Sequence, residues 1–485
     1  MPVMGTTFPA ADARPEPARF TALAFACSLS LITYLDRVCI MRVSEDIRRD
    51  LAFASFPLSL GSWQWDVSPM DQMGWVFAAF SIGYTLCEVP GGWLGDRWGA
   101  RRVLLRIVIW WSVFTALTGM IFPTPGWPVG ALLLMILVRF CFGAGEAGAY
   151  PNLTRVVRVW FPVRERAGAQ GAIWMSARLG GAIAPVLIGL LADSLGWQRA
   201  FWVLGAIGLV WAILFYHCYR ESPATTPRVK EPRPDEASEA RVPTDHEWPS
   251  WRVLVRSGTV WAACTVSFTV CLGWYFYPTW QPEYLSEVYG IPYGKSGWLT
   301  GLPFVCGAAG SLLGGVMSDW LIRKTGSRRW GRSLMGVFGF GTAGVCVFAT
   351  GLTSAWWQAV ALLCLAFFFN DLAIPVIWAV CADVGGRFVG SVAGLMNMVG
   401  GFGAILCPML IPLLLDHLWP APPASAGLGA GALVTTAFPH TYGAADRWQF
   451  VFAALASTWF VGAIAWLFVN AAKPIFSDHR PLSGS

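Results

Sequence analysis

Charge is scarce in this chain. Asp, Glu, Lys and Arg make up 13% of its 485 residues, against 55% hydrophobic, whereas ordinary soluble domains carry about a quarter charged residues. The sequence also lacks HExxH, GxSxG and any cluster of metal ligands, so it shows no constellation for a membrane-embedded enzyme, a bound metal or a resident cofactor. None of the histidines at 217, 246, 417, 440 and 479 falls in the middle of an apolar run, which argues against a histidine proton relay. The twelve cysteines lie in or at the ends of apolar runs without CxxC spacing, and read as small packing residues. Two connections, 122–128 and 351–355, carry no charge at all.

Long apolar runs fill the space that charge leaves. Runs of roughly 18 to 25 residues are long enough to cross about 30 Å of hydrocarbon as helix. Twelve are expected here, over 17–41, 71–95, 101–122, 128–151, 167–192, 197–219, 256–285, 295–320, 331–351, 355–384, 388–415 and 447–470. The fold class is therefore an all-α membrane protein. Arginine and lysine gather in the short connections that follow even-numbered spans, at 97–102, 155–166 and 323–332, and such residues stay on the cytoplasmic side. Both termini are expected to be cytoplasmic, in a bacterial inner membrane. The net charge of +6 follows from this bias and does not point to nucleic acid. No signal peptide is expected, because the first apolar run continues into Asp36 and Arg37 instead of a small-residue cleavage site.

An internal repeat organises the chain at an offset of 223 residues. Gly74-Trp75 recurs as Gly297-Trp298. Gly91, Gly92 and Asp96 recur as Gly314, Gly315 and Asp319, and Gly171, Pro185 and Asp193 as Gly394, Pro408 and Asp416. After an insertion near 419–446, Trp197-Gln198 and Phe201 reappear as Trp448-Gln449 and Phe452. Two six-helix halves are expected, 1–220 and 256–485, with a proline- and charge-rich cytoplasmic linker over 221–255. Parallel halves of this size place a binding site at their interface near mid-membrane, where rocking gives alternating access.

Within that interface, two arginines stand where hydrocarbon should be. Arg37 closes the first run, and Arg139 interrupts 130–149 two turns before Glu146. An ionised side chain at mid-membrane costs about 2.5 to 3.5 kcal/mol even on lenient scales, so it faces a cavity and marks a pathway. A pathway lined by arginine suits a negatively charged cargo. Arg37 can hold a carboxylate through two parallel N–H donors, with Asp36 beside it as a competitor unless protonated. Arg139 and Glu146 project from nearly one helical face and are expected to pair when the site is empty. Burial raises a carboxylate pKa and a neighbouring arginine lowers it, so changes in exposure can load and release a proton.

The loop Gly92-Trp-Leu-Gly-Asp96-Arg97-Trp-Gly99-Ala-Arg101-Arg102 resembles the signature between helices 2 and 3 of the major facilitator superfamily, and 315–323 is its degenerate copy. Asp96, Arg97, Arg101, Asp319 and Arg323 are thus candidate gating residues, able to form ion pairs in one conformation and break them in another. A narrower resemblance rests on Tyr34-Leu-Asp36-Arg37, on 84–92 with its Tyr84 and Pro90-Gly-Gly, on Gly143-Ala-Gly-Glu146-Ala with Pro151, on Trp160-Phe-Pro162 with Glu165-Arg166, and on Thr279 to Leu285. Together these are similar to the anion:cation symporter family, which includes galactonate, hexuronate, glucarate, tartrate and phthalate permeases and vertebrate glutamate and sialate transporters. The resemblance implies proton-coupled symport of an organic anion, such as a hexonate, hexuronate or aldarate, by a monomer. It further implies that Asp36 and Glu146 handle protons with Arg139 as their partner, and that Tyr34, Arg37, Tyr84, Trp378 and Asn397 contact substrate.

Other readings stay open at single positions. Tyr34, Tyr84 and Trp378 also suit packing or interfacial anchoring, and Asn397 a helix-to-helix hydrogen bond. Arg178 departs from galactonate-type carriers, which have an uncharged amide there. As a further substrate contact it suits a more acidic cargo, and as a structural cation it neutralises Asp371 or Glu88. Gln281, Glu283 and Asp371 are polar groups without an assigned role. The absence of arginine between Ser257 and Leu285 weakens a vesicular-glutamate-like reading. An exporter of organic anions or drugs on the same fold is the alternative function.

Overall fold

The computed structural model describes residues 17–60, 63–124, 129–222, 248–418 and 444–476. Most of the linker and nearly all of the 419–446 insertion lie outside them. The first half begins with α1 (Pro17–Arg42) and short α2 (Ser44–Asp50), followed by an antiparallel hairpin of β1 (Phe56–Leu60) and β2 (Trp63–Val67). Then come α3 (Pro69–Trp98), α4 (Ala100–Thr118), α5 (Gly130–Glu146), α6 (Ala149–Trp160), α7 (Arg166–Leu195) and α8 (Trp197–Cys218). The second half holds α9 (Trp251–Arg256), α10 (Gly258–Thr279), α11 (Gln281–Tyr289), α12 (Tyr293–Thr325), α13 (Arg328–Thr350), α14 (Trp356–Val384), α15 (Val389–Pro412) and α16 (Ala444–Phe468).

Ten of these helical stretches are long and apolar enough to cross a membrane. The 30-residue α3 and 19-residue α4, which also carry charged residues, are of spanning length as well, which is consistent with the twelve expected. Large apolar side chains such as Val186, Leu190 and Phe468 remain exposed on the outer surface, as lipid-facing positions do.

Two spans differ from expectation. The run expected at 128–151 continues to Trp160, broken after Glu146 where Gly148 adopts a left-handed φ of 85°. Arg155 and Arg158, read as loop cations, are therefore buried residues of α6. The run expected at 256–285 ends at Thr279 and restarts as α11, which has Pro282 in its first turn.

Contact between α3 and α15, and between α7 and α12, joins the two sets of helices, and the repeat is visible in the detail. A methyl group on Gly92 would overlap the carbonyl oxygen of Gly390, and one on Gly315 would overlap that of Ala167. Asp96 accepts hydrogen bonds from the backbone N–H groups of Gly390 (2.8 Å) and Ser391 (2.7 Å), at the start of α15. Asp319 accepts from Ala167 (3.3 Å) and Gly168 (2.6 Å), at the start of α7. Each contact maps onto the other at the offset of 223. A carboxylate at a helix N-terminus satisfies orphan N–H groups and meets the positive end of the helix dipole, so both glycines and both aspartates serve one purpose: close approach at the arginine-rich end.

Candidate substrate and proton site

Glu146 reaches the bundle interior because α5 stops there. The break at Ala147-Gly148 lets α3 come close: a methyl on Gly148 would meet the Gly91 backbone. Asn152 then bridges the break, donating from Nδ2 to the carbonyls of Gly91 (3.1 Å) and Gly148 (2.7 Å). From the end of α5 the Glu146 carboxylate faces α1, where Arg37 Nε donates to its Oε1 at 2.6 Å. The glutamate side chain is 1% exposed and the arginine 18%.

This pairing corrects the expected one between Arg139 and Glu146. Arg139 packs its guanidinium over the Phe142 ring at 4.6 Å and the Phe80 ring at 5.0 Å, with its Nε unbonded. It still acts electrostatically on Asp36 and Glu146 from its own side. Neither carboxylate oxygen of Asp36 has a hydrogen-bond partner, though the residue is buried. A buried acid without donors is costly when ionised.

Arg37 lies 4.2 Å above the Tyr84 ring and 5.5 Å from that of Tyr34. Its Nη2 is buried and makes no hydrogen bond, leaving a donor directed at the interior beside the Glu146 contact. Tyr84 joins the halves, since its hydroxyl accepts from Asn397 Nδ2 at 3.1 Å. Tyr34, Tyr84, Arg37 and Asn397 are thus brought together. Trp378 sits one layer away: it packs on Trp174 (5.6 Å) and Tyr150 (5.8 Å), which stack on each other at 4.6 Å. Tyr150 and Trp174 in turn lie edge-on to Tyr34.

Arg178 is fully engaged. Its Nε and Nη2 form a two-pronged ion pair with Asp371 of α14, at 3.1 Å for Nη2, and its Nη1 donates to the Tyr34 hydroxyl at 3.3 Å. Ser311 and Asn370 complete the Asp371 shell, and Trp459 Nε1 donates to Asn370. Of the two partners considered for this arginine, Asp371 is the one it meets.

Among the gating candidates, Asp96 and Asp319 bridge the halves as described, assisted by Arg155 (3.4 Å) and Arg332 (2.7 Å). Arg97 and Arg101 are placed differently from expectation. Arg97 lies over Trp93, whereas Arg101 donates to the Tyr216 carbonyl and its backbone N–H to Glu221 at the start of the linker, so neither reaches the second half through these contacts. Arg323 is exposed at the end of α12. The cross-half cations are instead Arg158, which donates to the Ala382 carbonyl at 2.6 Å, and Arg166, paired with Asp383 at 3.1 Å. Arg332 also pairs with Asp383, at 3.2 Å.

Glu88, the other acid considered as a partner of Arg178, does not meet it. It is fully buried in α3, both oxygens lack a hydrogen bond, and Tyr84 and Asn397 lie beside it. Its signal was present: an acid inside the apolar run that carries Tyr84.

Long helices in two related sets, joined around buried arginines that each face a buried carboxylate, define a multi-pass membrane carrier. The Major Facilitator Superfamily model matches residues 26–408, and the chain belongs to that family: it is a transporter, not an enzyme. It is 33% identical over 429 residues to the probable sulfoacetate transporter of Cupriavidus necator, covering 86% of this chain and 93% of that one. Against the probable galactarate/D-glucarate transporter of Escherichia coli it is 32% identical over 355 residues, covering 70% and 77%. Among solved structures it is similar in fold to the proton:xylose symporter XylE, with a TM-score of 0.67 at 16% identity over 95% of this chain and 98% of that one.

Proposed function

We propose that the protein carries a small organic anion across the bacterial inner membrane together with protons, as a monomer working by alternating access, with both termini cytoplasmic. The Arg37–Glu146 pair carries this reading. Glu146 occupies the arginine as long as it is ionised, and a cargo carboxylate takes its place once it is protonated, so anion and proton load together. Asp36 and Arg139 adjust that exchange, while Tyr84 and Asn397 bring both halves to the cargo. Halves 1–220 and 256–485 rock about the site, and the Asp96 and Asp319 contacts open and close its cytoplasmic side. The relatives' cargo, sulfoacetate in one and galactarate or glucarate in another, supports an acidic substrate in the sugar-acid or related class.

A thermal-shift screen of detergent-purified protein tests the cargo. A ligand that binds the native form alone raises its apparent stability by mass action, so even millimolar affinities register at high concentration. Sugar acids, uronates, aldarates, aromatic acids and short diacids are compared at pH 5.5 and 7.5. The expected result is a shift from one anion class, larger at pH 5.5 and absent in Arg37→Ala. Shifts from neutral or cationic compounds, with none from any anion, would replace this function with export.

A further inference from the structure

Tyr84, Glu88, Gly92 and Asp96 follow one another at four-residue spacing along α3 and so lie on one side of it. Each meets α15. Asn397 donates to the Tyr84 hydroxyl at 3.1 Å, and a methyl on Gly394 would meet the Glu88 carbonyl. One on Gly92 would meet the carbonyl of Gly390, and Asp96 accepts from Gly390 and Ser391. The row thus runs from Arg37, over which Tyr84 lies, to the contact that seals the arginine-rich end. Glu88 stands between them, 0% exposed, with neither carboxylate oxygen hydrogen-bonded.

The internal repeat separates what packing needs here from what it does not. At the offset of 223, Glu88 against Gly394 becomes Ser311 against Gly171, where a methyl on Gly171 would meet the Ser311 carbonyl. Gly92 and Asp96 are kept as Gly315 and Asp319, which close the second contact in the same way. A serine therefore suffices for the close approach, and the carboxyl of Glu88 serves something else. Arg37 of α1 acts on it electrostatically but is paired with Glu146, so Glu88 is not its counter-ion. The other groups facing Glu88 are Tyr84 and Cys87 of its own helix, Cys271 of α10, the Gly148 backbone and Asn397. None of them bonds to it, and α15 carries no charged residue.

We infer that Glu88 binds and releases a proton of its own in each transport cycle, neutral while α15 covers it and ionised once the arginine-rich end opens. This rests on the proposed function and adds a proton to its count. A carboxylate without donors is costly inside the bundle, so the covered residue holds its proton. Opening that end parts α3 from α15 and uncovers Glu88, one turn from Gly92. Water then solvates the carboxylate and carries the proton to the cytoplasm. On closure a proton returns from the cargo side through the Tyr84 hydroxyl, which accepts from Asn397 and keeps its own O–H to donate. Tyr84 passes that proton to Glu88 and takes another from water in the open site.

The test follows opening in liposomes without cargo, as the distance between spin labels on Trp98→Cys and Lys324→Cys, with the exposed native cysteine removed by Cys218→Ser. Both labelled positions are exposed, one on each half at the arginine-rich end. Because closure binds a proton at Glu88, the open-to-closed ratio rises with pH, by up to about tenfold per unit from this residue. The expected result is that Glu88→Gln, which stays neutral, loses this part of the slope and remains closed at high pH, while Glu88→Asp keeps it. Equal slopes in wild type and Glu88→Gln overturn the inference. So does a loss in Glu88→Asp as large as in Glu88→Gln, which marks a packing role. Proton and labelled galactarate or sulfoacetate uptake, measured together in proteoliposomes, gives a second reading: protons per anion fall by one in Glu88→Gln. An unchanged ratio overturns the inference and leaves symport standing, whereas anion entry without protons in wild type overturns both.

Discussion

Glu146→Gln is expected to abolish accumulation of the anion against its gradient while retaining exchange of internal for external anion. The glutamine mimics the protonated acid, so Arg37 is permanently available to cargo and no proton need be taken up. After cargo leaves, Arg37 is a buried cation without its counter-ion, a state that costs about 3 to 5 kcal/mol. Spent on the reorientation of the empty carrier, that cost slows its return by roughly 10²-fold to several thousandfold. Exchange never passes through the empty carrier and survives; net uptake does and is lost. Affinity should also change its response to pH. In wild type, binding weakens as pH rises, because ionised Glu146 competes for Arg37. In the variant that competition is gone and the pH dependence flattens. Counterflow and uphill uptake measured in the same proteoliposomes check the pair of outcomes, and wild-type accumulation by the variant would remove Glu146 from the coupling step.

Gly92→Ala is expected to be nearly inactive for the opposite reason: it blocks a conformation and leaves the site chemistry untouched. The added methyl meets the backbone carbonyl of Gly390, which cannot turn away as a side chain does. The α3–α15 contact must then separate, which pulls Asp96 from the N–H groups of Gly390 and Ser391. The conformation shown here, sealed at the arginine-rich end, becomes the disfavoured one. Anion binding persists and transport falls at least tenfold. Gly315→Ala, the counterpart at the offset of 223, gives the same phenotype through the Ala167 carbonyl. Labelling of cysteines introduced on the two sides of the bundle reports the shift: reactivity at the arginine-rich end rises in both variants. Unchanged labelling together with normal transport would show that these glycines are not the contact on which closure depends.

Much of this was legible because it is written as pattern. The spans follow from apolar length, and the paired glycines and aspartates from a constant offset. Arg37, Glu146 and Arg178 follow from charge inside hydrocarbon. Partner choice was not legible. Arg139 and Glu146 share a helix face, yet Glu146 turns to Arg37, since α5 ends at that residue and the break points its side chain at α1. A break set by Gly148 packing against Gly91 depends on a helix distant in sequence, which spacing along one helix cannot reveal. Arg158, Arg166 and Arg332 were hidden for a related reason. Positions near the ends of spans read as loop cations, and the longer α6 carries the first of them into the bundle, where each meets a group of the opposite half. Glu88 was read only as one of two acids that Arg178 could neutralise, and its place beside Tyr84 and Asn397 depends on packing between halves.

The central claim is that anion and proton cross together. Its most direct test records external pH while the anion identified by the screen is added to weakly buffered proteoliposomes holding the wild-type protein, with a Glu146→Gln control. The medium is expected to turn alkaline on addition, at a rate that tracks entry of labelled anion, with no such change in the control. Entry of labelled anion with no movement of protons would contradict it.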